Sequence, residues 1–478
     1  MAYGHKMKDN EMNLVYKYYG NFTAKENYIF RQLVFNSSMI YNKVNWYFLH
    51  RKFNSKLQPK IVKYLTSNDE HGKYFIQQEC GKIVDGVIND WKSYFAARDE
   101  YRKNPKKFTG KPRRPKCQKV KDKMNEVIFD AATISGLVGA KNNKKNVKGV
   151  IENNKISLTL SKKAKKKFKM KRLEVGVSNF KFPKGLNENL SNLQQVRICY
   201  DKKNERFYLA FIYRVEVSVL NKKSNDIMAI DLGQNNLITG VFNESSYRFI
   251  LDGKELKSKI AYVNSRMARL YSKEMKKSKS SKNFKLTKKM KKLYSYWRNY
   301  TWTYIHKCSN KTVKKALENN CNTIVIGDFK GVKRKKKRMK YFVTIPYVTL
   351  INQIKYKARR SGINVVMINE SYTSGCSCID DYEISKKCYN KKRRKKRGDF
   401  VTNNGFHINA DVNGAYNILR KYLKEKLNQK NNIPHCLIED VYKNLYLTYL
   451  NMHLRLKGNA ALTGGVNRII YSPVLIHL

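Results

Sequence analysis

Between residues 226 and 427, apolar runs of strand length alternate with long helical stretches, and this order constrains the fold more than any other feature of the chain. DIMAIDLG (226–233), NLITGVF (236–242) and SYRFIL (246–251) are separated only by short turns, as in an antiparallel meander. Basic helical sequence follows over about 255–320. In it Leu286, Met290, Leu293, Trp297, Tyr300 and Tyr304 recur at steps of three and four, the pattern of a packed seam with the Lys-rich face outward. TIVIG (323–327) predicts a fourth strand and INVVMINE (363–370) a fifth. Between them IPYVTLINQIKYKARRSG (345–362) reads as a helix that opens near Pro346 and stops at Gly362, and ADVNGAYNILRKYLKEKL (410–427) as the last helix.

The first half has a different texture. EMNLVYKYY (11–19) alternates weakly like a strand, and helical periodicity begins near Thr23 and continues through 55–66 and 71–103. YRKNPKKFTGKPRRPKC (101–117) breaks it with prolines and glycine and reads as an extended, solvated basic boundary. ISLTL (156–160), RLEVGV (172–177), VRICY (196–200) and RFYLAFIYRVEV (206–217) then predict a β-rich part. A chain of 478 residues holds several domains, and the expected class is multidomain α+β.

Lys and Arg number 99 against 36 acidic residues, a formal net charge of +63. An isolated fold sustains such self-repulsion poorly unless a polyanion lies along it, so nucleic acid is the expected partner. The basic residues run the full length rather than forming a short polybasic segment beside an amphipathic anchor, which argues against a membrane partner. No apolar stretch has transmembrane length and the start lacks the apolar core of a signal peptide, so the expected location is intracellular. Nine scattered cysteines do not form a disulfide framework. The runs KKKRMK (335–340) and KKRRKKR (391–397) are solvated surface that can touch phosphate.

Acidic residues in apolar settings therefore stand out. Asp231 ends the buried run IMAI and is followed by Gly233, while Asp411 opens a helix in NADVNGAYNI. Each alone fits a bland role, a turn residue or a helix-dipole partner. In this element order, which is that of an RNase H-like fold, they fit two-metal phosphodiester hydrolysis, which needs three or four carboxylates converging on one spot.

Four segments carry a family resemblance: IDLGQNNLITGV (230–241), YTS (372–374) with the cysteine-bearing basic segment after it, RGDFVTNNGFHINADVNGAYNILRK (397–421), and upstream NPKKFTGKPRRPK (104–116). Together they resemble TnpB, the RNA-guided nuclease of certain insertion sequences, its Fanzor relatives in eukaryotes and large DNA viruses, and the compact type V CRISPR effectors. The resemblance implies a helical recognition lobe, a β-barrel wedge domain and a RuvC nuclease domain with a nucleic-acid-binding insert. On this chain the boundaries become residues 1–20 and 119–223 for the wedge, 21–118 for the recognition domain, 224–373 and 409–428 for RuvC, 374–408 for the insert and 429–478 for a tail. It also implies two Mg²⁺ ions, a guide RNA encoded near its own gene, target DNA, and a location in prokaryotic cytoplasm or in a nucleus or viral factory.

In the family the nuclease acids are an Asp on the first strand, a Glu at the end of the fourth and an Asp on the last helix. Asp231 and Asp411 match the first and third, but Gly327 stands at the glutamate position. Asp328 is one residue late, and a one-residue shift in a strand turns a side chain to the opposite face. Glu370 ends the fifth strand, beside the fourth in this fold, so its longer side chain reaches the same crevice. The expected catalytic and magnesium-binding set is Asp231, Glu370 and Asp411.

Family members often carry a four-cysteine zinc ribbon in the insert, built from two CxxC pairs that turn their thiolates toward one ion. Here the first pair is CSC (376–378) and the second is missing, which leaves Cys376, Cys378 and Cys388 with His407 as a candidate fourth ligand. Both zinc and a metal-free loop held by packing fit these residues. The functional expectation is an RNA-guided DNA endonuclease, and the alternative is a nuclease-dead RNA-guided DNA-binding repressor or transposition regulator.

Overall fold

The computed structural model describes residues 10–134, 155–217, 226–277, 286–328, 345–428 and 474–476, apart from short gaps at 52, 106–107, 109, 119–123, 188–189, 203, 246, 382, 396–397, 404 and 406. KKKRMK (335–340), the last two residues of KKRRKKR and most of 429–478 lie outside the described residues. The chain divides into two compact units, residues 1–216 and 217–478.

In the first unit β1 (Glu11–Tyr18) leads into α1 (Ala24–His50), α2 (Gln58–Asn68) and α3 (Gln77–Lys103). Helix α1 starts where Thr23 and Glu26 form a reciprocal capping box, the Glu26 N–H donating to Thr23 Oγ1 at 3.2 Å and the Thr23 N–H to Glu26 Oε2 at 2.7 Å. Phe30, Leu33, Val44 and Phe48 make its buried stripe, and Trp91 of α3 packs against Phe48 while its indole N–H donates to Asn45 Oδ1 at 2.9 Å.

β2 (Val127–Asp130), β5 (Leu193–Asp201) and β6 (Arg206–Glu216) join β1 in a sheet of order β1-β6-β5-β2. β3 (Lys155–Leu158) and β4 (Leu173–Gly176) pair as a ribbon on either side of α4 (Lys162–Phe168), and a bridge from Ile134 to Leu158 ties the ribbon to the chain after β2. Helices and strands of this unit share one apolar core, from Phe30 and Trp91 to Phe129, Leu158 and Phe211. The basic segment expected to be a solvated boundary is extended, and its backbone docks on α1. Asn42 exchanges two hydrogen bonds with the backbone of Gln118, at 2.8 and 2.6 Å, and Asn45 Nδ2 donates to the Pro115 carbonyl at 3.3 Å. Lys111, Arg113, Arg114 and Lys116 remain exposed.

The second unit is built on six strands in the order β11-β10-β7-β8-β9-β14. β7 (Ile227–Asp231), β8 (Asn236–Phe242) and β9 (Arg248–Asp252) form the expected antiparallel meander. α5 (Lys254–Lys277) and α6 (Lys288–Glu318) lead to β10 (Thr323–Asp328), parallel to β7, and α7 (Tyr347–Arg360) leads to β11 (Asn364–Asn369), parallel to β10. β12 (Asp399–Val401) and β13 (His407–Asn409) precede α8 (Ala410–Asn428), and β14 (Val474–Ile476) pairs with β9 as a sixth strand from within the expected tail. Of the seam on α6, Met290 and Tyr304 are buried and Leu286 is exposed.

Strand periodicity sorts this sheet into two faces. Met228, Ile230, Ile324 and Ile326 pack with residues of α5, α6 and α7, whereas Ile227, Ala229, Val325 and Ile368 pack with Val412, Ala415 and Ile418 of α8.

One buried acid in the first unit predicts a pH effect. Glu79, in the first turn of α3, is 3 % exposed, its Oε1 has no partner, and burial pushes its carboxyl from 4.5 up to about 8. A carboxyl raised on folding contributes its full stability below pH 4.5 and loses it as pH rises through about 8. Glu79→Gln is expected to gain thermal stability relative to the wild type as pH rises from 6 to 9, measured by unfolding of the full-length protein at both values.

Candidate carboxylate site

The site forms where β7, β10 and β11 end. Parallel partners in register point to the same face, and β10 pairs with β7 up to Ile326↔Ile230 and with β11 at Gly327↔Ile368. One step past Ile230 is Asp231, beside Gly327, and two past Ile368 is Glu370. Alternation therefore puts Asp231, Gly327 and Glu370 on the α8 face and gives Asp328 the parity of Ile324 and Ile326, on the other face.

At Gly327 neighbouring side chains from β11's end and α8 approach closely. A Cβ there would lie 2.8 Å from Glu370 Oε2 and 2.9 Å from Ile418 Cδ1. Glu370 thus occupies the space beside residue 327, reaching across from the neighbouring strand. Its backbone is fixed by Thr373, whose N–H and hydroxyl donate to the Glu370 carbonyl at 3.2 and 2.8 Å. Lys421 of α8 donates to the carbonyls of Asn369 and Ser371, at 3.1 and 2.6 Å, on either side of it.

Asp411 enters from the first turn of α8, which Asn409 caps by accepting from the N–H groups of Asp411 and Val412 at 3.0 and 3.2 Å. Asn236, the first residue of β8, donates to Asp411 Oδ2 at 2.7 Å, and Arg394 Nη2 lies 3.5 Å from Asp411 Oδ1. A second glycine makes room for the first carboxylate: a Cβ at Gly414 would lie 2.8 Å from Asp231 Oδ2.

The electrostatics suit a cation. Desolvation, then the negative charges of Asp411 and Glu370, push the Asp231 carboxyl from 3.8 up to about 7, against which Arg394 acts in the other direction. Glu370 is also raised, by burial and then by Asp328. Among the described residues no three His, Cys, Asp or Glu side chains converge on one ion-sized spot. The convergence expected from the sequence is thus not formed among the described residues, although Asp231 feels the charges of both Asp411 and Glu370. A divalent cation such as magnesium would offset the negative charge that, after burial, raises Asp231, and oxygen donors of this kind suit it.

The four zinc candidates are not brought together. Cys378 is buried in the apolar cluster under α8, and burial pushes its thiol up to about 12. Cys376 Sγ lies 3.5 Å from the Ser385 carbonyl, and Ser385 Oγ lies 3.9 Å from Cys388 Sγ. His407 Nδ1 faces Asp399 Oδ1 at 2.9 Å across the β12-β13 ribbon.

Sequence reading did not single out Asn236, Arg394, Asn413 or Asn417. The last two are fully buried on α8 and clamp the chain after Glu370: Asn413 and Asn417 each donate to the Cys376 carbonyl at 2.8 Å, Asn417 also to that of Thr373 at 2.9 Å, and the Cys378 N–H donates to Asn413 Oδ1 at 2.8 Å. Their one signal was being polar on the apolar face of NADVNGAYNI.

Comparison with known proteins finds similar sequences and a shared fold. Residues 210–333 match the family described as a probable transposase, OrfB of IS605, and residues 347–418 match the Cas12f1-like TNB domain. A CRISPR-associated endodeoxyribonuclease Cas12f1 of Syntrophomonas palmitatica is 26 % identical over 233 residues, 43 % of this chain and 46 % of that protein. The TnpB-like protein ORF457 of Acidianus two-tailed virus is 22 % identical over 219 residues, 45 % of this chain and 46 % of that protein. Each match spans about half the length of the relative. A Cas12f1 solved in complex with sgRNA and target DNA shares the fold with a TM-score of 0.52 at 17 % identity, over 83 % of both chains.

The raised carboxyl yields a stability test. Asp231 weighs against folding increasingly as pH rises from about 4 to about 7, and evenly above that. In chelator, Asp231→Asn is expected to melt several degrees above the wild type at pH 8 and to converge with it near pH 4. Thermal unfolding across that range measures it.

The two matched segments and the curated relatives thus support a TnpB-related chain, similar to the compact type V CRISPR nucleases over residues 210–333 and 347–418.

Proposed function

We propose that the chain is an RNA-guided DNA endonuclease in which Asp231, Glu370 and Asp411 form the nuclease site. Glu370 supplies from β11 the carboxylate that Gly327 lacks on β10. The observation that carries this reading is the overlap at residue 327, where Glu370 Oε2 stands within 2.8 Å of the point a side chain would leave from. The three residues would hold two Mg²⁺ ions, which supply an activated water and stabilise the leaving oxygen.

Each residue of this chain has a separate task. Asp231 sits at the strand end beside Asp411 and Glu370, where it bridges the site. Asn236 orients Asp411 by donating to one of its oxygens, leaving the other toward Arg394. Arg394 presents a fixed cation next to the carboxylates, which suits a scissile phosphate approaching an otherwise anionic cleft. The exposed cations of 110–118 and the net charge of +63 suit a guide RNA and target DNA held by their backbones, with sequence read by base pairing. The guide is proposed to be encoded near the chain's own gene.

A nuclease-dead, RNA-guided DNA-binding protein is the second reading, favoured by the glycine at 327 and by the absence of a converged three-ligand cluster among the described residues. One set of variants separates the two. Protein purified with its RNA should cut guided DNA in Mg²⁺, and Glu370→Gln should slow cutting on the order of 100-fold or more while RNA loading and target binding stay unchanged. Asp328→Asn should be mild, and Gly327→Glu should crowd Glu370 and Ile418 and lower activity. Wild-type cutting by Glu370→Gln with a dead Asp328→Asn would move the site to β10. A wild type that binds guided DNA in Mg²⁺ without nicking it would establish the second reading.

A further inference from the structure

The insert is closed by a charge pair in the place where a ribbon would use zinc. Asp381 and Arg393 are both nearly buried, with side chains 9 % and 12 % exposed. Two prongs of the guanidinium meet the carboxylate, Nη1 to Oδ2 at 2.5 Å and Nη2 to Oδ1 at 3.4 Å. Both groups and their neighbours make further bonds. The Ser377 N–H donates to Asp381 Oδ2 at 2.7 Å, Arg393 Nη2 also donates to Asn403 Oδ1, and the Asn403 N–H donates to Asp380 Oδ2 at 2.6 Å. From α8, Arg420 donates to the carbonyls of Asp381 and Ser377 at 2.5 and 3.1 Å.

This single pair ties together the turn 376–381, the 3₁₀ turn Lys391–Arg393, the loop before β13 and helix α8. Joining chain segments that are distant in sequence is what a structural zinc does through its ligands. The three thiols and His407 have instead been given to apolar packing, a backbone carbonyl, Ser385 and Asp399. Removing either partner of a nearly buried, hydrogen-bonded pair strands the other charge, so the insert depends on both. The residue after Arg393 is Arg394, the cation 3.5 Å from Asp411.

We propose that the insert folds without zinc around the Asp381–Arg393 pair, and that Arg393 is a positioning residue that sets Arg394 against Asp411. The second clause rests on the nuclease reading above, and the first does not.

The test uses the full-length protein with its RNA. Elemental analysis gives the zinc content, and amide hydrogen exchange follows residues 376–381 and 390–395 with and without a zinc-selective chelator in Mg²⁺. No stoichiometric zinc is expected, and exchange should be the same with the chelator and in Cys388→Ser but about tenfold faster in Arg393→Gln. One zinc per chain, whose removal speeds exchange to the level of Arg393→Gln, would overturn the zinc-free insert. For positioning, Arg393→Gln should cut guided DNA about tenfold more slowly at unchanged target affinity, and adding Arg394→Ala should cause little further loss, because both changes remove the same cation from the site. Losses that multiply, or wild-type cutting by Arg393→Gln, would overturn the positioning role. A wild type that never cuts would remove the nuclease reading and the positioning role with it, while zinc content and exchange still decide how the insert is held.

Discussion

Burial of carboxylates beside one another at the ends of β7 and β11 and the start of α8 is the constraint on which the second unit depends. Three acids that would separate in water are held together by elements that cannot move independently: parallel strands in fixed register and a helix packed across their ends. Much of the surrounding sequence reads as the means of sustaining that arrangement. Gly327 and Gly414 remove the side chains that would collide with Glu370 and Asp231, Asn236 and Arg394 take up the oxygens of Asp411, and Lys421 pins the chain on both sides of Glu370. The raised Asp231 carboxyl records its burial first and then the charges of Asp411 and Glu370, stability given up at the proposed site.

Where an acid sits in a parallel sheet depends on register and parity rather than on which strand carries it. Gly327 and Asp328 are neighbours in sequence, yet only the glycine has the parity of Asp231. Glu370 has the same parity on the adjacent strand and a side chain long enough to return to the shared spot. A carboxylate can therefore be moved between strands with little change in the site, provided the strand that loses it becomes small.

The parts of the fold with strong local signals were legible in the sequence. IMAID, NLITGVF and TIVIGD are apolar runs bounded by turns, and α1 announces itself by Thr23 and Glu26. β2, α4 and β14 were missed because each is short and is specified by its partners, β5, the first-unit core and β9. The basic segment 101–117 was read as extended; residues 101–103 instead complete α3 and 111–117 are extended, and the asparagines on α1 that hydrogen-bond to its backbone leave no periodic trace. The same holds for the site. Asp231 and Asp411 were singled out by their apolar settings and the family resemblance, and Glu370 by its place on the neighbouring strand, whereas Asn236, Arg394 and the Asn413–Asn417 clamp are set by contacts between residues far apart in sequence. The cysteines drew notice because CSC resembles half a ribbon, while the Asp381–Arg393 pair is an ordinary Asp and Arg in a chain rich in charge.

Direct measurement of metal binding bears most closely on the central claim that β11 supplies the missing carboxylate. Paramagnetic Mn²⁺, titrated into the RNA-loaded protein and followed by electron paramagnetic resonance, reports site occupancy without requiring DNA to be cut. A pair of spin-coupled ions bound by the wild type with guided DNA, lost in Glu370→Gln and retained in Asp328→Asn, is the predicted result. Unchanged coupled binding in Glu370→Gln would contradict it.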